Sequence, residues 1–132
     1  MTQGGFDLAR RRSPTLTDAE LRLMDILWEK GASRVSDVVE ALPRRLSLAY
    51  STVLTTLRIL ERKGYVRHEK LGRAFVYHPL VGREEASRKA VRHLLSRFFD
   101  NSPELLVLNV LSNEEVDSAE LKRLKKLVEE SR

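Results

Sequence analysis

The spacing of apolar residues changes character at Gly64. In the stretch Ser47 to Gly64, SLAYSTVLTTLRILERKG, Val53, Leu57 and Leu60 recur at helical spacing, with Ala49 and Tyr50 at the same azimuth. Beyond it, Tyr65-Val66-Arg67-His68-Glu69-Lys70 and Ala74-Phe75-Val76-Tyr77-His78 follow a period of two. Leu71-Gly72-Arg73 is the turn between those runs, and Pro79 ends the second. This part of the chain is therefore expected to fold as a helix that leads directly into a β-hairpin.

Two helices are expected before it. Thr17 and Glu20 have the T-x-x-E spacing of a capping box, and Leu16 and Leu21 sit where a hydrophobic staple would close the first turn. Leu21, Met24, Ile26, Leu27 and Trp28 supply the buried side, and Gly31 is the stop. Trp28 is read as core, not as a surface for a base. A second helix is expected from about Arg34 to Leu42, with Val35, Val38, Val39 and Leu42 inward and Pro43 as its end. Two helices and a short turn form a helix-turn-helix, and a hairpin behind the second makes it a winged helix.

The outward side of the later helix is unusual in its chemistry. Ser51, Thr55, Arg58 and Arg62 fall on one line of the surface, which holds hydroxyls and guanidiniums and no carboxylate. The whole excess charge of +5 lies in residues 1–81, which carry 14 basic and 9 acidic side chains, whereas residues 82–132 carry ten of each. From Arg44 to Arg73 there are eight cations (Arg44, Arg45, Arg58, Arg62, Lys63, Arg67, Lys70 and Arg73) against Glu61 and Glu69. Positive charge localised in this way suits phosphate binding. Arg44, Arg45, Lys70 and Arg73 are expected to hold phosphates of double-stranded DNA, with Ser51, Thr52, Thr55 and Arg58 at base edges and Arg62 at the backbone. Thr56 is expected to be partly buried beside the first helix. Residues 1–15 read as a disordered basic arm with Arg10-Arg11-Arg12, residues 16–81 as the winged-helix domain, and residues 82–132 as a helical dimerisation region.

That last region is expected to hold three helices. Glu84 to Phe99 carries Val91, Leu94, Leu95, Phe98 and Phe99 on a broad stripe. Ser102 is an N-cap with Pro103 behind it, and Leu105, Leu106, Val107, Leu108, Val110 and Leu111 make the next helix apolar nearly all round. Such a helix must be buried on several sides. Asp117 and Glu120 suggest a further capping box, with Val116 and Leu121 as a staple pair, ahead of Leu124, Leu127 and Val128. About fifty residues form only a marginal core alone, so a homodimer through Val91, Leu95, Phe98, Leu105, Leu106, Leu108, Leu111 and Leu124 is expected to cover these leucines.

Other classes fit poorly. The chain has no cysteine, which removes disulfides and thiolate sites, and no apolar run approaches a membrane span. The N-terminus lacks the apolar segment of a signal peptide, so a cytoplasmic protein is expected. There is no glycine-rich phosphate loop and no plausible carboxylate pair, and His68, His78 and His93 are scattered. No enzyme, metal site or small-molecule cofactor is expected. His68 and His78 are read as strand-surface residues. The competing class is a winged helix used as a protein–protein adaptor, which needs no localised positive field.

LTDAELRLMDILWEKG, AYSTVLTTLRILERKGYV and GRAFVYHPLV, followed by LLVLNVL and VDSAELKRLKKLVEE, resemble the penicillinase-repressor family (the BlaI/MecI/CopY group) over nearly everything after residue 15. The resemblance implies a dimeric bacterial repressor on palindromic operators of β-lactamase or other antibiotic-resistance genes. It also implies a membrane-bound sensor metalloprotease that cuts within the dimerisation region, at the position matched here by Asn109-Val110. The family often has a bulkier aromatic where Val110 stands, and basic or polar residues where Leu54 and Ile59 stand. The absence of cysteine departs from its copper-responsive branch.

Overall fold

The computed structural model describes residues 15–113 and 117–131. Helix α1 (Asp18–Lys30) starts through both bonds of the capping box. The Thr17 hydroxyl accepts from the Glu20 N–H at 3.1 Å, and the Glu20 carboxylate accepts from the Thr17 N–H at 3.0 Å. Gly31 ends the helix at a φ of 83°, a left-handed conformation open to glycine, and its N–H donates to the Leu27 carbonyl. The inward side differs from the expected one at Leu21 and Leu23. Leu23, Met24 and Leu27 are buried, whereas Leu21 is 41% exposed and Ile26 and Trp28 are half-buried against the core. The cause is Glu20, a charged residue that occupies an inward position and shares one face with Leu23, Met24 and Leu27.

Strand β1 (Ser33–Arg34) comes next, so the second helix, α2 (Val35–Ala41), starts just after the expected Arg34. Val35, Val38 and Leu42 are buried, and Val39 packs against them. A 3-10 turn at Arg44–Leu46 then leads to α3 (Tyr50–Arg62). Val53, Leu57 and Leu60 are fully buried, as their spacing predicts. Each contributes about 1.5–3 kcal/mol by leaving water. Ala49 and Tyr50 do not extend that stripe: both are exposed, because Ala49 is the extended N-cap and the helical azimuth starts only after it. Leu48, in the extended segment ahead of the helix, packs against the core instead.

The hairpin forms β2 (Val66–Leu71) and β3 (Ala74–Pro79), paired antiparallel from Val66 opposite Pro79 to Leu71 opposite Ala74. The turn is therefore Gly72-Arg73 alone, with Leu71 already in the ladder. Gly72 has a φ of 64°, as a two-residue turn led by glycine requires. β1 pairs with β3 through Ser33 opposite Tyr77 and Arg34 opposite Val76, giving a sheet in the order β1-β3-β2. Tyr65, Val66 and Tyr77 close the core from the sheet side. Mainly helical structure with a small antiparallel sheet behind a helix-turn-helix is a winged helix.

The next helix, α4 (Arg83–Phe98), is held at its start by α1. The Trp28 indole N–H donates to the Val81 carbonyl at 2.8 Å. The Arg83 guanidinium lies 4.8 Å over the Trp28 ring and reaches Asp25 at 2.8 Å. Val81 and Ala86 are buried in the same core.

The chain divides into two compact units between His93 and Leu94. In the second, Asp100 and Asn101 take φ values of 50° and 59° at the turn after α4, conformations that short amide and acid side chains tolerate better than most. Helix α5 (Pro103–Asn113) is capped by the Ser102 hydroxyl, which accepts from the Leu105 N–H at 3.1 Å. Helix α6 (Ser118–Glu130) is capped by Asp117, which accepts from the Glu120 N–H at 2.8 Å. No described residue of α5 or α6 is buried. The expected cover of α5 on several sides is thus not seen among the described residues of its own unit. Arg10, Arg11, Arg12 and Val116, which carried the readings of a basic arm and of a staple, lie outside the described residues. No described helix is long and apolar enough to cross a membrane.

Candidate nucleic-acid interface

Helix α3 presents its buried residues to the core and its polar line outward. Ser51, Thr52, Thr55, Arg58 and Arg62 are all exposed. Thr56 is half-buried, and its hydroxyl donates to the Thr52 carbonyl at 2.8 Å, which engages it within the helix. Leu54 packs against the core and Ile59 is half-buried, so the two apolar residues are partly withdrawn from the outward surface. Arg44 and Arg45 are exposed on the turn leading into α3, and Lys70 and Arg73 are exposed at the far end of the hairpin leading out. Lys70 shares the β2 face of Val66 and His68, the face whose partners on β3 are Pro79, Tyr77 and Phe75.

Arg44, Arg45, Arg58, Arg62, Lys70 and Arg73 make no ion pair among the described residues. Other cations of the same unit do: Arg34 with Asp37, Lys63 with Glu20, Arg67 with Glu69 and Arg83 with Asp25. The Arg34 contact is a two-pronged hydrogen bond, and it holds the Asp37 carboxyl below its ordinary range.

The start of α3 adds to this field. No side chain caps it, and its first turn holds no acid. Every other described α-helix has at least one acid there: Asp18 and Glu20, Asp37, Glu84 and Glu85, Glu104, and Glu120. Free N–H groups and the positive end of the helix dipole therefore face outward beside Arg44 and Arg45. An anion is the natural complement of that end.

One expected cation belongs elsewhere. Lys63 ends α3, and its ammonium is buried, 2.7 Å from the Glu20 carboxylate and 3.0 Å from the Thr15 carbonyl. The side chains of the pair are 5% and 6% exposed, which removes Lys63 from any surface that meets a ligand. Each charge also sits at the favourable end of its own helix, the cation at the C-terminus of α3 and the carboxylate in the first turn of α1. Lys63 therefore ties the end of α3 to the start of α1. Nothing local signals this, because its partner is 43 residues away.

The residues expected at a dimer surface are of another kind. Phe98 is 67% exposed, and Val91, Leu105, Leu108, Leu111 and Leu124 are exposed with it, while Leu95 and Leu106 are half-buried. The Asn109-Val110 bond lies inside α5, where the Asn109 carbonyl accepts from the Asn113 amide at 2.9 Å. His68 and His78 join no group of three or more metal-ligating side chains among the described residues. Both sit by carboxylates: His68 by Glu61 at 2.7 Å and His78 by Glu69 at 3.4 Å. The second contact is not a hydrogen bond, since the buried His78 Nε2 has no hydrogen-bond partner.

Comparison with known proteins places this geometry. The penicillinase repressor family model matches residues 16–130. A penicillinase repressor of Bacillus licheniformis is 29% identical over 120 residues, spanning 91% of this chain and 94% of its own. The transcriptional regulator BlaI of Mycobacterium tuberculosis is 42% identical over 71 residues, covering 53% of this chain and 51% of its own. The complex structure of hsRosR-S4 superposes with a TM-score of 0.51 over 88% of this chain and 89% of that one. At 18% identity, it shares the fold alone.

Proposed function

The chain belongs to the penicillinase repressor family, and on that premise we propose that it is a dimeric transcriptional repressor whose α3 reads operator DNA. The observation that carries this reading is the combination at α3 of an uncapped, acid-free N-terminus with exposed arginines that have no carboxylate partner among the described residues. An adaptor that docks proteins gives no reason for such a field.

In this mechanism the protein makes and breaks no covalent bond. Arg44, Arg45, Lys70 and Arg73 hold phosphates on either side of α3 and set its register in the major groove. Ser51, Thr52, Thr55 and Arg58 face base edges, where arginine pairs with guanine and threonine methyls meet thymine methyls. Arg62, one turn further along, meets the backbone. Two copies joined through Val91, Leu95, Phe98, Leu105, Leu106, Leu108, Leu111 and Leu124 place two α3 helices on inverted half-sites, about one helical turn apart or a multiple of it. Occupancy of a promoter then excludes polymerase, and the names of the relatives point to resistance genes as targets.

Release follows from the same architecture. A membrane sensor metalloprotease that cuts Asn109-Val110 severs α5 and separates the leucines that join the dimer. A protease takes its substrate extended, so α5 must unwind around Asn109 before the bond is cut. A cut repressor then binds its half-sites singly and loses the gain of linked binding.

Selection of duplexes from a random library by the full chain tests the reading. The expected result is an inverted repeat whose affinity falls steeply and linearly with the logarithm of salt, as counterion release dictates. Failure to enrich any duplex, or affinity indifferent to salt, overturns it.

A further inference from the structure

We infer that His68 is a positioning residue of the reading face: it holds Glu61, the one carboxylate of α3, away from Arg58 and so keeps that guanidinium available to a base edge. The inference deepens the proposed function and rests on it. Glu61 follows Arg58 by three residues, the spacing at which side chains on a helix meet. A carboxylate so placed ordinarily pairs with the arginine and competes with DNA for it. The pair is not made here.

Glu61 is engaged by the hairpin instead. The His68 Nδ1 on β2 lies 2.7 Å from one Glu61 oxygen and 2.9 Å from the other, and its N–H donates to the carboxylate. Among the described residues this is the one side-chain hydrogen bond between α3 and the hairpin. The imidazole is fixed by its surroundings. Phe75 meets it edge-on at 5.6 Å, and Tyr77, opposite it in the β-ladder, lies against it at 5.4 Å. Tyr77 is itself a core residue, 2% exposed, so the ring it supports has little freedom.

A second observation places Arg58 and Glu61 in one neighbourhood. Burial pushes the Tyr77 hydroxyl up from its ordinary range, Glu61 adds to the rise, and Arg58 opposes it. Both charged groups therefore act on a single hydroxyl, and His68 engages the carboxylate of the two. Glu61 from α3 and Tyr77 and Phe75 from β3 stand against His68, and Lys70 shares its strand face. The hairpin acts on the reading helix as well as on the phosphate backbone.

A double-mutant cycle tests this on the full chain, with a duplex that the wild type has selected from a random library. His68→Ala is expected to weaken binding about two- to threefold at low salt, the size of a released surface ion pair on a helix. The same substitution in the Glu61→Gln background is expected to change nothing, because no carboxylate remains to be held. Thermal unfolding checks that the variants fold. His68→Leu, which keeps apolar packing and removes the donor, takes the place of His68→Ala if the alanine variant unfolds, with the same outcome expected. Equal losses in both backgrounds, or no loss in either, overturn the inference while leaving the repressor intact. A wild-type chain that selects no duplex overturns the repressor reading and this inference with it.

Discussion

The two units of this chain use leucine in opposite ways. In the first, Leu23, Leu27, Leu57 and Leu60 are fully buried, and three helices and a three-stranded sheet close over them. In the second, Leu105, Leu108, Leu111, Leu124 and Leu127 are each more than two-fifths exposed, and no described residue of α5 or α6 is buried. The first unit thus buries these leucines with its own sequence, although Leu21, Leu71 and Leu80 stay at its surface. The second leaves its described leucines at the surface, and under the proposed dimer a second copy covers them. The difference is that the first unit has a closed apolar core of its own, while the described helices α5 and α6 of the second have none, which is what the proposed dimer would supply.

Substitutions in each unit sharpen that contrast. Leu57→Ala, in the closed unit, is expected to cost about 3–4 kcal/mol, from lost burial and the cavity left behind, read as a lower urea midpoint with unchanged slope. Lys63→Met comes next: removing one partner of a buried ion pair strands the Glu20 charge and costs about 3 kcal/mol. Its DNA affinity should keep the wild-type salt slope wherever the chain remains folded, because Lys63 contacts no phosphate. A smaller slope would return Lys63 to the interface. Leu106→Asp, in the open unit, is expected to weaken self-association by about 2 kcal/mol or more, visible as monomers in sedimentation equilibrium. Unfolding of the first unit should not move. A variant that still sediments as a dimer would place the dimer surface elsewhere.

What the sequence disclosed follows a physical division. Signals that depend on neighbours in the chain were legible: the Thr17–Glu20 capping box, the stop at Gly31, the buried triplet Val53, Leu57 and Leu60, and a hairpin turned by Gly72. Signals that depend on distant partners were not. Two residues cannot display a period, so β1 exists only because Ser33 and Arg34 pair with β3. Glu20 reads locally as a cap, yet its burial beside Lys63 turns the inward face of α1 toward Leu23 and leaves Leu21 exposed. Lys63 reads as one more cation of a basic stretch until its partner is known. The exposed set of Arg44, Arg45, Ser51, Thr52, Thr55, Arg58, Arg62, Lys70 and Arg73 follows from period and charge alone, because exposure on a helix face is a local property. The bond between Glu61 and His68 crosses from helix to strand and has no such signature.

The central claim, that the outward line of α3 reads base sequence, meets its most direct test in Arg58→Ala. The measurement is competition between the selected duplex and one with its half-sites scrambled, at fixed salt. The variant is expected to prefer the selected duplex less, with discrimination reduced by about 1–3 kcal/mol for each half-site, the worth of one arginine–guanine contact. Full wild-type preference for the selected duplex in that variant would contradict the claim.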